Sequence, residues 1–187
     1  MCNYVVQGDI DRAEQLMAIH RLNHAVLYVR DVARSTAFYR DVLGFRVVME
    51  MPGAVFLQAH GSTNDHDLGM FEIGTGAGAS AAGRATVGLY HLAWEVETLA
   101  DLDEIAVRLS AAGALAGASD HGTTKSLYGK DPDGLEFEIV WLVPASLLDD
   151  TALRARSRIG PLDLAAEKAR YGADTRGGVG ISVPASA

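Results

Sequence analysis

An internal repeat constrains this chain more than any other feature. "HAVLYV" begins at His24 and "HLAWEV" begins at His91, which sets a period of about 67 residues. Each segment alternates apolar positions and then runs into a helix signal. After the first, Asp31 can cap "VARSTAFYRDVL", where Ala37, Phe38, Val42 and Leu43 form an apolar stripe and Gly44 stops the helix. After the second, Thr98 can cap "LADLDEIAVRLSAA", with Leu102, Ile105, Ala106 and Leu109 as the stripe and Gly113 as the stop. Strand-like runs follow each helix: "FRVVMEM", "AVFLQAH" and "DLGMFEI", then "ALAGAS", "TKSLYG" and "LEFEIVWL". The economical reading is an α+β chain of two tandem βαβββ units, about residues 21–73 and 88–143. Together they would form a curved mixed sheet around a concave interior.

The remaining segments read as appendages. Residues 1–20 suggest a helical N-terminal extension, and residues 144–187 a C-terminal extension with one or two helices such as "PLDLAAEKARYG". Between the units, "GTGAGASAAGRATVG" is rich in glycine, but its spacing is wrong for a dinucleotide fingerprint and a strand pattern, not a helix, follows it. A linker is the better reading. The net charge of −8 argues against nucleic acid as a partner, because binding phosphate needs a basic face. No apolar run approaches the roughly 18–20 residues of a membrane span. The N-terminus carries acidic residues where a signal peptide has basic ones, and Cys2 is the only cysteine. A cytoplasmic protein is the expectation.

Strand alternation then sorts the polar residues. His24 shares a face with Val26 and Tyr28, and His91 shares one with Ala93 and Glu95. In "LEFEIVWLV", Glu136 and Glu138 point away from Leu135, Phe137, Ile139, Trp141 and Val143. A carboxylate on a half-buried face is costly unless something pairs with it. If the sheet curls, His24, His91 and Glu138 converge, and a divalent metal could pair with Glu138. Two imidazoles and one carboxylate with open positions suit non-haem Fe(II), and Zn(II) takes the same ligands. A lone strand histidine is more often a core or surface residue than a ligand. The equivalent placing of His24 and His91 in the two repeats is what favours the metal.

With these features the chain resembles the vicinal oxygen chelate superfamily, which includes glyoxalase I, bleomycin-resistance proteins and type I extradiol (catechol-cleaving) dioxygenases. The resemblance covers about residues 21–143. "FYRDVLGF" and "DPDGLEFE" are typical of the superfamily as a whole. The segment from His121 through "GTTKS", Leu127-Tyr128, "GK", Asp131-Pro132, Asp133-Gly134 and "LEF" to Glu138 is similar to the signature of the dioxygenase branch. Ser119 stands where that pattern usually has glycine, asparagine, threonine or a small aliphatic residue. "HDLGMF" supplies the His66-Asp67 pair of the branch, with a longer gap to His91 than the branch usually shows. Familiar extradiol dioxygenases have four βαβββ units, and this chain has two, corresponding to the catalytic half.

The resemblance implies His24, His91 and Glu138 as metal ligands and His66 as an acid/base group. It implies Tyr128 as a catalytic hydrogen-bond donor and His121 as a substrate-binding residue. The implied cofactor is Fe(II), with Mn(II), Zn(II) and Ni(II) as alternatives. The implied partners are a small aromatic substrate, O2, and further copies of the chain in a homodimer or higher homo-oligomer. Two neutral imidazoles and one carboxylate would leave Fe(II) at net +1, which a catecholate monoanion neutralises. The main rival is a glyoxalase- or epimerase-type lyase or isomerase, in which Glu72 would be a fourth ligand. A metal-free binding protein of the bleomycin-resistance type is the third reading. His20 and His60 have no motif support and read as structural.

Overall fold

The structure, a computed structural model, describes Ile19 and residues 21–178. The helix expected within residues 1–20, with His20, and the end of the tail lie outside the described residues. The first unit comprises β1 (Ala25–Val29), α1 (Val32–Asp41), β2 (Arg46–Met51), β3 (Ala54–Gln58) and β4 (Leu68–Glu72). The second comprises β5 (Leu92–Glu95), α2 (Leu99–Ala111), β6 (Leu115–Asp120), β7 (Thr124–Lys130) and β8 (Glu136–Leu142). Each unit makes one four-stranded mixed sheet, in the orders β1-β4-β3-β2 and β5-β8-β7-β6. In both, the first strand pairs in parallel with the last, and the other pairings are antiparallel.

The α+β class and the repeated βαβββ order follow the sequence reading, but the curved sheet is two sheets that remain unclosed. Their edge strands β1 and β5 are not hydrogen-bonded neighbours. Alternation specifies which face a strand buries; it does not specify which edge meets which.

Local chemistry accounts for the helices. Asp31 has an extended backbone, and its side chain accepts from Arg34 N at 2.9 Å. Thr98 and Asp101 exchange side-chain and backbone bonds in a capping box ahead of α2. Helix α2 buries Leu99, Leu102, Ile105 and Leu109 against Leu127, Phe137, Ile139 and Trp141. Each such side chain contributes roughly 1.5–3 kcal/mol relative to exposure. Helix α1 behaves differently from its apolar stripe: Ser35, Thr36 and Tyr39 are buried, while Phe38, Val42 and Leu43 are only half-buried. The reason is position. Phe38 and Leu43 lie between the two cores, with the Phe38 ring 5.9 Å from Phe137. Phe45, just past the helix, lies edge-on to Trp94 at 5.1 Å.

A polar clamp also joins the units. In the "DPDG" turn, Asp131 Oδ1 accepts from Asp133 N and Leu135 N, both within 2.9 Å. Asp133 then receives Arg30 N at 2.8 Å and Arg30 Nη1 at 2.9 Å. Burial raises the Asp131 carboxyl above its ordinary value against the pull of those two N–H groups. Burial, with the Asp131 charge beside it, pushes the Tyr39 phenol far up. This turn belongs to the architecture of the unit junction.

The C-terminal extension wraps the second unit. Helices α3 (Asp150–Ala155) and α4 (Leu164–Tyr171) follow a short 3₁₀ turn, Ala145–Leu147. Gly160 bridges Asp120 at one sheet edge, and Gly177 N donates to Glu97 O beyond β5. Lys125, with no exposure at all, lies 2.5 Å from Asp120 Oδ1 and 2.9 Å from Glu167 Oε2 of α4. A buried cation demands partners, so this ion pair ties the extension to the sheet. Among the described residues, no helix is long and apolar enough to cross a membrane.

Candidate active site

The open face of the second sheet carries a continuous polar row. Register sets Ala93, Glu138, Tyr128 and Gly117 side by side across β5, β8, β7 and β6. His91, just before β5, turns onto the same face, and its Nε2 lies 3.0 Å from Glu138 Oε2. The Glu138 side chain is 14% exposed, so this imidazole is its needed partner. The Tyr128 ring lies 6.1 Å from His91. Its hydroxyl is 2.9 Å from His121 Nε2. His91, Glu138, Tyr128 and His121 are therefore brought together. Glu136, on the same strand face, goes instead to Lys130 at 3.4 Å near the surface.

Sequence reasoning passed over one member of this cluster. Ser119 is buried, and its Oγ lies 2.9 Å from His121 Nε2 and 3.1 Å from the Tyr128 hydroxyl. In the sequence it stood only as a departure from a pattern, and its side-chain type carried no signal of its own. The hairpin holding His121 is buttressed from outside. Gly122 has φ +77°, and a Cβ there would meet Ala152 O of α3 at 2.4 Å.

The first sheet carries a second, smaller cluster. The rings of His24 and His66 lie 4.6 Å apart, and His66 stands edge-on to Phe56 at 5.0 Å. Phe56 and Val26 flank Gly69 on the open face, which places both histidines there. His24 Nδ1 is 2.7 Å from Asn23 Oδ1, and His66 Nδ1 is 2.9 Å from Asp65 Oδ2. Each acceptor calls for a proton on Nδ1, which leaves Nε2 as the free lone pair. The loop is set by Asp67, whose carboxylate accepts from Ala59 N, Ser62 Oγ and Asn64 Nδ2. Asn64 Nδ2 also donates to Asn23 O beside His24. Asp67 thus anchors the His66 loop from below, a job invisible in a "His-Asp" dipeptide.

The two clusters do not merge. Among the described residues, no group of three or more His, Cys, Asp and Glu side chains is gathered as a metal cage. His24 stands with His66 on one sheet, and His91 with Glu138 on the other. Glu72 belongs to neither: its Oε2 accepts from Val32 N at 3.0 Å, at the first turn of α1. A carboxylate there also answers the positive end of the helix dipole. His60 is exposed. A cavity of about 270 Å³ lies under the linker, among Leu27, Leu92, Leu135, Phe137 and Tyr90; none of the six candidate residues lines it.

Known proteins resemble this chain over about two thirds of its length. A biphenyl-2,3-diol 1,2-dioxygenase from Rhodococcus globerulus is 38% identical over 120 residues, covering 64% of this chain and 62% of that protein. A catechol-2,3-dioxygenase of Bacillus subtilis (strain 168) is 32% identical over 127 residues, covering 66% and 43%. The chain therefore spans less than two thirds of either relative. A glyoxylase/bleomycin resistance protein/dioxygenase domain from Frankia sp. EAN1pec superposes with a TM-score of 0.52 at 25% identity, covering 66% of this chain and 92% of that one. Residues 21–139 match the family model described as Glyoxalase/Bleomycin resistance protein/Dioxygenase superfamily, and the chain belongs to that superfamily.

Proposed function

We propose that this chain is an extradiol ring-cleaving dioxygenase, acting on a catechol-type aromatic substrate with O2 and a divalent metal, Fe(II) in the first instance. The observation that carries the reading is the row His91–Glu138–Tyr128–His121 on one sheet face. Its donor set fits a metal. His91 Nε2 and Glu138 Oε2, 3.0 Å apart, are close enough for one ion to take both. Mn(II), Zn(II) and Ni(II) accept the same pair. The third ligand of the proposal is His24, whose Nε2 is left free by Asn23. Its joining the pair requires the open faces of the two sheets to meet. The ion would supply Lewis acidity toward a substrate hydroxyl and a template for substrate and O2.

The chain's own residues do the rest. Tyr128 donates a hydrogen bond to a substrate oxygen as charge develops there. His121 holds the Tyr128 hydroxyl and the edge of the substrate. His66, with its Nδ1 proton held by Asp65, presents Nε2 as a base for a substrate hydroxyl proton and can return that proton later.

The engagement of Glu72 at α1 supports this reading over the glyoxalase type, because a fourth carboxylate ligand is otherwise employed. The test uses protein purified without oxygen and loaded with iron. Catechol and biphenyl-2,3-diol should each be consumed with one O2 and give a yellow ring-opened semialdehyde. The hemithioacetal of methylglyoxal should be untouched. No O2 uptake across a broad catechol panel would overturn the proposal.

A further inference from the structure

We propose that Ser119 is a positioning residue for Tyr128, a role that rests on the ring-cleaving reading above. Strand register is what puts Ser119 beside Tyr128. Strand β6 carries a bulge between Leu115 and Gly117, so Leu115 pairs with Gly129 but Ser119 pairs with Ser126. Unbulged pairing from Leu115 would set Ser119 opposite Lys125, on the core face. The extra residue flips every side chain after it. Ser119 thereby joins Tyr128 on the open face, and Asp120 falls to the other side with Lys125. The bulge is what brings the hydroxyl to the site.

Hydrogen bonding then gives the hydroxyl its role. Ser119 is 5% exposed, so bulk water does not satisfy it. Its oxygen has two partners, His121 Nε2 at 2.9 Å and the Tyr128 hydroxyl at 3.1 Å, and those two are 2.9 Å from each other. The three atoms close a triangle. Each hydroxyl owns one proton, and Nε2 owns either a proton or a lone pair. Tyr128 can donate to a substrate only if its proton is not spent inside the triangle. That state exists when His121 Nε2–H donates toward Ser119 and Ser119 donates to the phenol oxygen. The phenol oxygen is then an acceptor from within, and its own proton points outward. Polarisation along the chain strengthens the outward bond. Without the Ser119 hydroxyl, only His121 and Tyr128 remain. On this proposal, of the two directions open to that pair, the phenol O–H donates to an Nε2 lone pair, because a phenol is the stronger donor and an imidazole nitrogen the stronger acceptor, and the outward donor is lost. No proton leaves the triangle in either state; Ser119 decides only where the phenol proton points.

The test compares the full chain with Ser119→Ala and Ser119→Thr, each checked for an unchanged thermal transition. In iron-loaded protein turning over a catechol, Ser119→Ala should lower kcat about tenfold, the scale of one hydrogen bond, and move KM by less than about threefold. Ser119→Thr keeps the hydroxyl and should stay within about threefold of the parent kcat. In metal-free, ¹⁵N-histidine-labelled protein, the His121 Nε2 resonance should report a protonated nitrogen in the parent and in Ser119→Thr, and an unprotonated one in Ser119→Ala. A purely structural role would not move that signal. The proposal is overturned if Ser119→Ala keeps kcat within about twofold of the parent, or if folded Ser119→Thr is as slow as Ser119→Ala. An unchanged His121 tautomer in Ser119→Ala overturns it as well. If the parent consumes no catechol, the ring-cleaving reading fails, and the tautomer comparison still decides the role of Ser119.

Discussion

Glu138 and His66 divide the proposed chemistry between holding and turning over. Glu138 is both shielded and paired to an imidazole. Glu138→Gln keeps the shape and removes the charge. It should weaken metal binding by more than about 100-fold, beyond the usual cost of losing a residue that merely supports a ligand. Metal analysis after dialysis against a graded chelator series checks this, and full iron retention would count against the ligand assignment. His66 sits beside His24 with Nε2 free. His66→Phe should therefore leave iron content unchanged and slow turnover about 10²-fold, the scale of a lost acid/base group. Single-turnover kinetics would show the slow phase after O2 is added, and a parental rate would move the acid/base role elsewhere.

At the scale of elements, the site depends on parts that carry no chemistry. The His121 hairpin is pinned because Gly122 adopts a left-handed backbone directly beneath α3. A Cβ there would be strained by its φ and would collide with the Ala152 carbonyl and the Ala155 methyl. Gly122→Ala should cost about 1–3 kcal/mol of stability. It should also slow turnover, because α3 must withdraw and the turn beside His121 shifts. Denaturant melts together with kcat on the same preparation test this, and an unchanged midpoint would show that α3 does not press on the hairpin. The bulge in β6 is the matching case on the neighbouring strand. It spoils ideal pairing and in exchange turns Ser119 toward Tyr128.

Across the whole molecule, one observed contact and one proposed contact bear on how the units work together. The first is the Arg30–Asp133 clamp, where the receiving carboxylate is 8% exposed and also takes the Arg30 backbone N–H. Arg30→Ala leaves that carboxylate half-paired and should destabilise the fold by about 1–3 kcal/mol. A thermal or urea melt reads this directly. The second contact is the proposed one between His24 and the His91–Glu138 pair. A ligand that binds only the assembled site stabilises the fold, by about 2.7 kcal/mol at 100 times its dissociation constant. Mn(II) should therefore raise the melting temperature of the parent chain and raise it markedly less in His24→Ala. Equal shifts in the two proteins would mean that His24 does not join the site.

Much of this protein is legible in its sequence. The repeat, the caps at Asp31 and Thr98, and the alternation in "LEFEIVWL" are local signals, encoded in spacing and in side chains that bond within a few residues of themselves. Those signals specified two βαβββ units, the burial of Phe137, Ile139 and Trp141, and the exposure of Glu138 to an open face beside His91. What alternation could not specify was anything that depends on edges or on contacts far apart in the chain. Helix α1 buried Ser35 and Thr36 because it is wedged between two cores, which its own stripe does not record. Glu72 found the end of α1, and Ser119 reached Tyr128 through a bulge that adds one residue to the count. That the two sheets stay separate was not legible, because side-chain parity orients faces and says nothing of how β1 and β5 meet. Sequence periodicity determined which residues could share a face; only the tertiary structure decided which faces, and so which imidazoles, stand together.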